Sequence, residues 1–482
     1  LKPFFNSVRR KCMNDTCILW FRKDLRLDDN PALIEAAKHK KIIPLFIFDR
    51  NLEEYNKIGK ASHWWLEKSL ISLSEDLNQK LNVLEGDSLE IITNIIKEEK
   101  IKHVYWNRCY EPDRIVTDTF LKKEITKLNV FAKSFNSSLL WEPWKIKNKS
   151  GNFYKVFTPF FKKGCLETDQ PRIPFNKPKE LFFLKLSKKD SYYQFKFQNS
   201  KDKWYSKFEK IWKVSEAAAK NTFNNFLENG ANDYNEGRNF PSKNSVSKIS
   251  AYLHWGQISP FRVWHEAKNK MFGSHKETFL SELGWREFSY HLLYHFPKIN
   301  KQNLKEQFNK LDWNVNDELL LKWKKGKTGF PIVDAGMREL WETGYMHNRL
   351  RMITASFLVK NLLIHWKEGE KWFWDCLLDA DLANNSASWQ WVAGTGSDAA
   401  PFFRIFNPIT QGQKFDKDAL YIRKYLPEIA KLPNKFIFTP WLADKEILKD
   451  ANVTLGVDYP YPIIDYTSSR KKALDAFKKI SN

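Results

Sequence analysis

Three short stretches carry residue types that core packing alone does not call for. "NNSASWQWVAGTG", Asn384–Gly396, sets amides and small hydroxyls around two tryptophans, with "DAD", Asp379–Asp381, just upstream. Amides and carboxylates belong inside a protein only when each finds a partner, so this segment needs an internal polar network or a ligand. In "FLSELGWREF", Glu282, Trp285 and Arg286 fall at i, i+3 and i+4, on one face of a helix. A carboxylate, an indole and a guanidinium suit a planar, partly charged ligand. Taken alone, the same face is explained as well by an amphipathic helix with a Glu–Arg pair. In "MHNRLRM", Asn348, Arg351 and Met352 share a face, with Arg349 beside them. An amide, a cation and a thioether together suit a pocket wall better than a solvated surface.

The elements that must position these residues change character along the chain. The first ~130 residues alternate short apolar runs with helical stretches. "CILWF" (17–21), "IIPLFIF" (42–48), "NVLEG" (82–86), "HVYWN" (103–107) and "NVFAKSF" (129–135) read as buried strands, and 61–81 as a helix between them. Such alternation implies βαβ units and a parallel, Rossmann-like sheet of five strands. "FRKDLRLDDNPAL" follows the first strand where a GxGxxG would stand, so the usual dinucleotide fingerprint is absent. Residues 137–205 are rich in Lys, Phe, Pro and Ser without sustained periodicity and read as a long surface connector. Beyond them apolar residues recur at i, i+3 and i+4, over 223–227, 251–255, 279–296, 334–366 and 370–382. The expected organisation is an α/β domain over 14–136, a connector over 137–205 and an all-helical domain over 206–482.

Composition narrows the partners. Of 482 residues, 42% are apolar, enough for large cores, and 20 Trp, 37 Phe and 17 Tyr supply ring area for packing or stacking. An excess of 79 Lys+Arg over 57 Asp+Glu, +22 formally, favours a polyanion such as nucleic acid, unless it reflects a generally lysine-rich composition. Cys12, Cys17, Cys109, Cys165 and Cys376 show no metal-ligand spacing and read as reduced thiols of a cytosolic, metal-free protein. No apolar run approaches the ~20 residues that cross a bilayer. The basic leader "LKPFFNSVRRKC" lacks the apolar centre of a signal peptide and reads as an upstream extension, with Met13 an alternative start.

In their order, "FLSELGWREF", "GKTGFPIVDAGMRELWETGYMHNRLRM", "DADLANNSASWQW" and "DAAPFFRIFNPITQGQKFD" closely resemble the photolyase/cryptochrome family. The similarity runs from "LWFRKDLRLDDNPAL" to "YPYPIIDYTSSR", essentially the whole chain after residue 15. Within the family the chain looks like the bacterial branch that repairs cyclobutane pyrimidine dimers, class I or class III.

The resemblance implies FAD in the helical domain, which would explain the missing fingerprint. Matching positions assign FAD contacts to Tyr234, Val246, Ser247, Lys248, Ile249, Ser250, Phe279, Arg286, Asn348, Arg351, Asp379, Asp381 and Asn385. Val246–Ser250 departs from the usual Thr-Ser-Arg-Leu-Ser, and the lost threonine hydroxyl removes one phosphate donor, leaving backbone N–H groups to serve. Asn385 takes the place of the amide that faces flavin N5, where plant cryptochromes carry an aspartate. A neutral amide hydrogen-bonds the reduced ring without supplying a proton.

For the substrate, ultraviolet-damaged DNA, the resemblance places Trp285 and Trp391 on either side of a flipped pyrimidine dimer. Glu282 then hydrogen-bonds the dimer, Asn348 and Met352 complete the wall, and Arg238, Arg349 and Arg404 lie near the DNA backbone. Trp389, Trp366 and Trp313 match an electron-hopping chain. A lone His347 before Asn348 argues against (6-4) photolyases, which carry two adjacent histidines there.

A light-harvesting antenna is expected, with methenyltetrahydrofolate favoured and a deazaflavin or none as alternatives. "YEPDR", Tyr110–Arg114, stands where folate-binding class I enzymes carry an Asn-Glu pair. The expected function is light-driven dimer repair by a cytoplasmic monomer. Against it stand a cryptochrome-type photoreceptor, DASH-type included, and a flavin-free basic DNA-binding protein.

Overall fold

The structure, a computed structural model, describes residues 15–52, 57–187, 192–193 and 204–481. Met13 and Cys12 lie outside the described residues. Five parallel strands, β1 (Thr16–Phe21), β2 (Lys41–Asp49), β3 (Asn82–Gly86), β4 (His103–Asn107) and β5 (Phe131–Phe135), form one sheet in the order β3-β2-β1-β4-β5. All six residues of β1 are buried, the pattern of a central strand covered on both faces.

The period-two alternation of side chains splits this sheet between two cores. Ile18, Trp20, Ile43, Leu45, Val104 and Trp106 face the helices Ser88–Glu98 and Pro112–Lys127, through Ile92, Ile95, Leu121 and Ile125. Cys17, Leu19, Phe21, Phe46 and Tyr105 face the other way, into a core shared with Trp255, Phe261, Phe288 and Leu292. One sheet face is thus packed against the helical part of the chain. A second helical core gathers Trp323, Trp366, Phe373 and Trp389.

The periodic run 334–366 is divided among several elements: Pro331–Thr343 ends on Gly344 in the left-handed region (φ 67°), and a new helix, Asn348–Ser356, starts after His347. It passes into a π-helical turn, Phe357–Asn361, before Trp366–Cys376 begins. His347 and His365 each cap the following helix, their Nδ1 atoms accepting from the N–H groups of Arg349 (3.2 Å) and Lys367 (3.1 Å). Only a neutral imidazole can accept in this way. Burial and then neighbouring cations push the His347 ring down to about 3 and the His365 ring down to about 4. Likewise 370–382 is interrupted: Leu377–Asp381 is irregular, and Asp381 caps the helix Leu382–Ala393 through the Asn384 N–H at 2.8 Å. Within the connector, Phe157–Cys165 forms a helical turn leading into a π-helical one.

Candidate active site

The helix breaks present polar side chains where a continuous helix would bury or disperse them. The Arg351 guanidinium donates to both oxygens of Asp379 (2.8 and 3.0 Å) and to the Met346 carbonyl (2.8 Å). Each member of this pair comes from a segment next to a helix interruption, Arg351 from Asn348–Ser356 and Asp379 from the irregular stretch 377–381. Asp381 is buried and spends its oxygens internally, on Tyr290, on His254 Nδ1 (3.2 Å) and on Asn384. Burial pushes its carboxyl up, but His254, Lys23 and Tyr290 outweigh that and hold it well below the usual range. Asn385, also buried, donates to the Glu370 carbonyl at 3.2 Å.

The helix Gly273–His295 carries a second group. Glu282 is ion-paired with Arg238, and both remain partly exposed. Arg238 also lies over the ring of Tyr234 (5.5 Å), which sits edge-on to Phe226 and Phe279. The half-buried Trp285 stacks on Phe157 with ring centroids 3.8 Å apart. Arg286 donates to Glu287 at 2.9 Å, and burial pushes that carboxyl up to about 7 despite the arginine. On the helix Asn348–Ser356, Asn348 is exposed, Met352 is half-buried, and Arg349 lies 4.3 Å from the Phe415 ring centroid. Trp391 is half-buried, and Arg404 is exposed on the loop that follows.

Val246 and Lys248 line a cavity of about 280 Å³ with Lys243, Glu339, His347 and Lys424. Lys248 adopts the left-handed conformation (φ 52°). Lys243 is ion-paired with Asp233, while Lys248 and Lys424 share the cavity with Glu339, whose carboxylate already accepts from the His347 N–H (3.0 Å) and the Tyr421 hydroxyl (2.7 Å). Among the described residues, His347 Nε2 is buried and finds no partner. Excess cations around an unused polar atom form the donor set a diphosphate requires, so these residues fit FAD. Of the other expected contacts, Ile249 is buried in the core and Ser250 opens the short helix Ser250–His254.

The three chain tryptophans sit on adjoining elements. Trp389 is buried edge-on to Phe373 (4.9 Å). Trp366 is buried with its indole N–H on the Asn303 side chain (2.8 Å). His365 lies between Trp366 (5.6 Å) and the half-buried Trp313 (4.9 Å). "YEPDR" is internally engaged: Tyr110 donates to Glu142 at 3.0 Å, and Glu111 is paired with Lys23. Sequence reading missed Phe157, Glu370, Tyr290 and His254, whose local patterns are those of ordinary core residues.

Residues 17–179 match the DNA photolyase family, and residues 279–479 match the FAD binding domain of DNA photolyase. A deoxyribodipyrimidine photo-lyase of Agrobacterium fabrum is 43% identical over 472 residues, 96% of this chain and 98% of its own length. Cryptochrome-2 of Arabidopsis thaliana is 34% identical over 486 residues, 97% of this chain and 79% of its own. The crystal structure of a class III photolyase from Agrobacterium tumefaciens superposes with a TM-score of 0.93 at 42% identity, covering 98% of this chain and 99% of that one. The fold and site are those of a flavin-binding, two-part α/β and helical protein. The chain belongs to the photolyase/cryptochrome family.

Proposed function

We propose that this protein repairs cyclobutane pyrimidine dimers in ultraviolet-damaged DNA under blue light, acting as a class III-like enzyme and as a monomer in the cytoplasm. Reduced FAD, when bound, supplies the photoexcited electron that opens the cyclobutane ring and takes it back afterwards. Everything else falls to side chains. Lys248, with the cations around its cavity, would hold the diphosphate; Tyr234 and Phe279 would pack beside the cofactor; Arg351, Asp379 and Arg286 would orient it. Asn385, whose side chain lies beside the Glu370 carbonyl, would offer the flavin a neutral amide that holds the ring without delivering a proton. Trp285 and Trp391 stack on the flipped dimer and keep water away from it, at about 1–3 kcal/mol per stacked base. Glu282 hydrogen-bonds the dimer, and Arg238, Arg349 and Arg404 hold the flanking phosphates. Trp389, Trp366 and Trp313 would serve to recharge the bound cofactor, apart from repair itself.

The observation that carries this reading is the partly exposed ion pair between Glu282, on the helix of Trp285, and Arg238, just past the helix Tyr234–Gly237: a recognition group left open to solvent. In domain terms, 14–136 is the antenna domain, 137–205 the connector and 206–482 the catalytic domain. Methenyltetrahydrofolate is the antenna we assign; Tyr110 and Glu111 of "YEPDR" are engaged by Glu142 and Lys23, and the likeness to a class III photolyase supports class III rather than class I.

The deciding experiment is repair of a duplex carrying one thymine dimer by purified protein, in blue light and in darkness. Light-dependent loss of the dimer supports the proposal. Intact flavin absorption with no repair in either duplex or single strand makes the protein a cryptochrome-type receptor, and repair in single strands alone makes it DASH-type. A near-ultraviolet band beyond that of the flavin reports the folate.

A further inference from the structure

The connector segment around Phe157 stacks on Trp285 and is tied, through the loop 397–400, to Trp391. The Phe157 ring lies flat on Trp285, 3.8 Å between centroids and 9° between planes. Phe161 stacks behind it at 5.6 Å and 10°. Gly284 makes room for this column, since a Cβ there would meet the Phe161 ring at 2.5 Å. Phe157 is 8% exposed and Phe161 7%, so the column is shielded from solvent. The same segment is tied to the loop after Trp391. The Phe157 N–H donates to the Asp398 carboxylate (2.9 Å), and the Ser397 hydroxyl donates to the Lys155 carbonyl (2.8 Å). That loop closes on the second wall through the Ala400 N–H and the Trp391 carbonyl (3.1 Å).

We propose that Phe157 is a positioning residue for lesion recognition: its ring fixes the plane of Trp285, and its backbone, through Asp398, fixes the loop that holds Trp391. The connector then sets how far apart the two indoles stand. The inference rests on the reading of Trp285 and Trp391 as the lesion walls. A flat ring stacks on a flipped base only if it is held at the right tilt, and a parallel aromatic partner behind it removes the competing tilts before the lesion arrives.

The test measures affinity for an oligonucleotide with one thymine dimer and for the same oligonucleotide undamaged, alongside FAD content. Phe157→Ala is expected to lower the damaged-to-undamaged affinity ratio about tenfold, with undamaged-DNA affinity and FAD content unchanged; Phe157→Tyr, which keeps the ring, should restore the ratio. Asp398→Asn weakens only the backbone tie and should lower the ratio less, which keeps the proposal testable should Phe157→Ala not fold. An unchanged ratio in both Phe157→Ala and Asp398→Asn overturns the inference, as does a parallel loss of undamaged-DNA affinity and FAD, the mark of a merely structural role. Trp285→Ala separates this failure from that of the wider reading: if it too leaves the ratio unchanged, the walls themselves are misassigned.

Discussion

Trp389 rests directly against the backbone of Gly369. A Cβ built on that glycine would stand 2.1 Å from the indole Cη2, so no larger residue fits without moving the ring. Gly369 lies on the helix Trp366–Cys376, whose first residue is the next member of the proposed electron chain. The glycine therefore brings Trp389 and the Trp366 helix together. Gly369→Ala is expected to cost about 1–3 kcal/mol through overpacking. It should also slow photoreduction of oxidised cofactor by external donors, measured by flavin bleaching under blue light. Unaltered bleaching in a folded variant would sink this link.

Trp366 should separate recharging from repair. Trp366→Phe keeps most of the ring volume but loses the hydrogen bond to Asn303 and an easily oxidised indole. Photoreduction should then fall steeply, while chemically reduced enzyme repairs dimers at the parent rate. If repair by the chemically reduced enzyme disappears as well, Trp366 serves something other than recharging.

Glu282 faces Arg238 across an ion pair before any lesion is bound. Engagement of a dimer must share or replace that pair. Glu282→Ala should still bind damaged DNA, since Arg238 is released toward phosphate, but repair fewer dimers per absorbed photon. Loss of one charge-assisted hydrogen bond corresponds to roughly 1.5–3 kcal/mol. Parent-like efficiency per photon would show that Glu282 does not touch the lesion.

DNA binding should weaken with salt. With about four phosphates neutralised, the log–log slope is expected near −3.6, and Arg349→Ala should flatten it by about one unit. Arg349 is already propped by the Phe415 ring, so its charge is presented without a large ordering cost. A slope that Arg349→Ala leaves unchanged removes this residue from the backbone contacts.

Glu370 gives a pH signature. Burial pushes its carboxyl from 4.5 up to about 7, although Ser386 donates to it. A raised folded-state value means that the fold holds a proton the unfolded chain releases. This contribution to stability is complete below about 4.5 and is lost as pH rises through about 7. Glu370→Gln lacks the titration, so the parent should lose stability relative to the variant between pH 5 and pH 8. Thermal melts of both proteins at the two pH values check this, and an unchanged difference rules it out.

Much of the molecule was legible from local pattern. Runs such as "HVYWN" and "NVLEG" coincide with β4 and β3, because consecutive apolar residues in a short run suit a strand covered on both faces, even where polar residues stand at its ends. Glu282, Trp285 and Arg286 share a helix, as their spacing requires. The ordered motifs identified the family and its flavin. What spacing cannot carry is contact between segments far apart in the chain, and there the tertiary structure decided. The stretch 334–366 has helical periodicity throughout, yet it breaks at Gly344, in the left-handed region, and restarts on a neutral histidine cap, and the helix that follows carries Arg351 to Asp379. Glu282 pairs with Arg238, Phe157 stacks on Trp285, and Trp389 closes on Gly369, each joining separate elements. Sequence fixes which neighbours lie within one turn or one pleat; charges, rings and missing side chains find their partners only when elements pack in three dimensions.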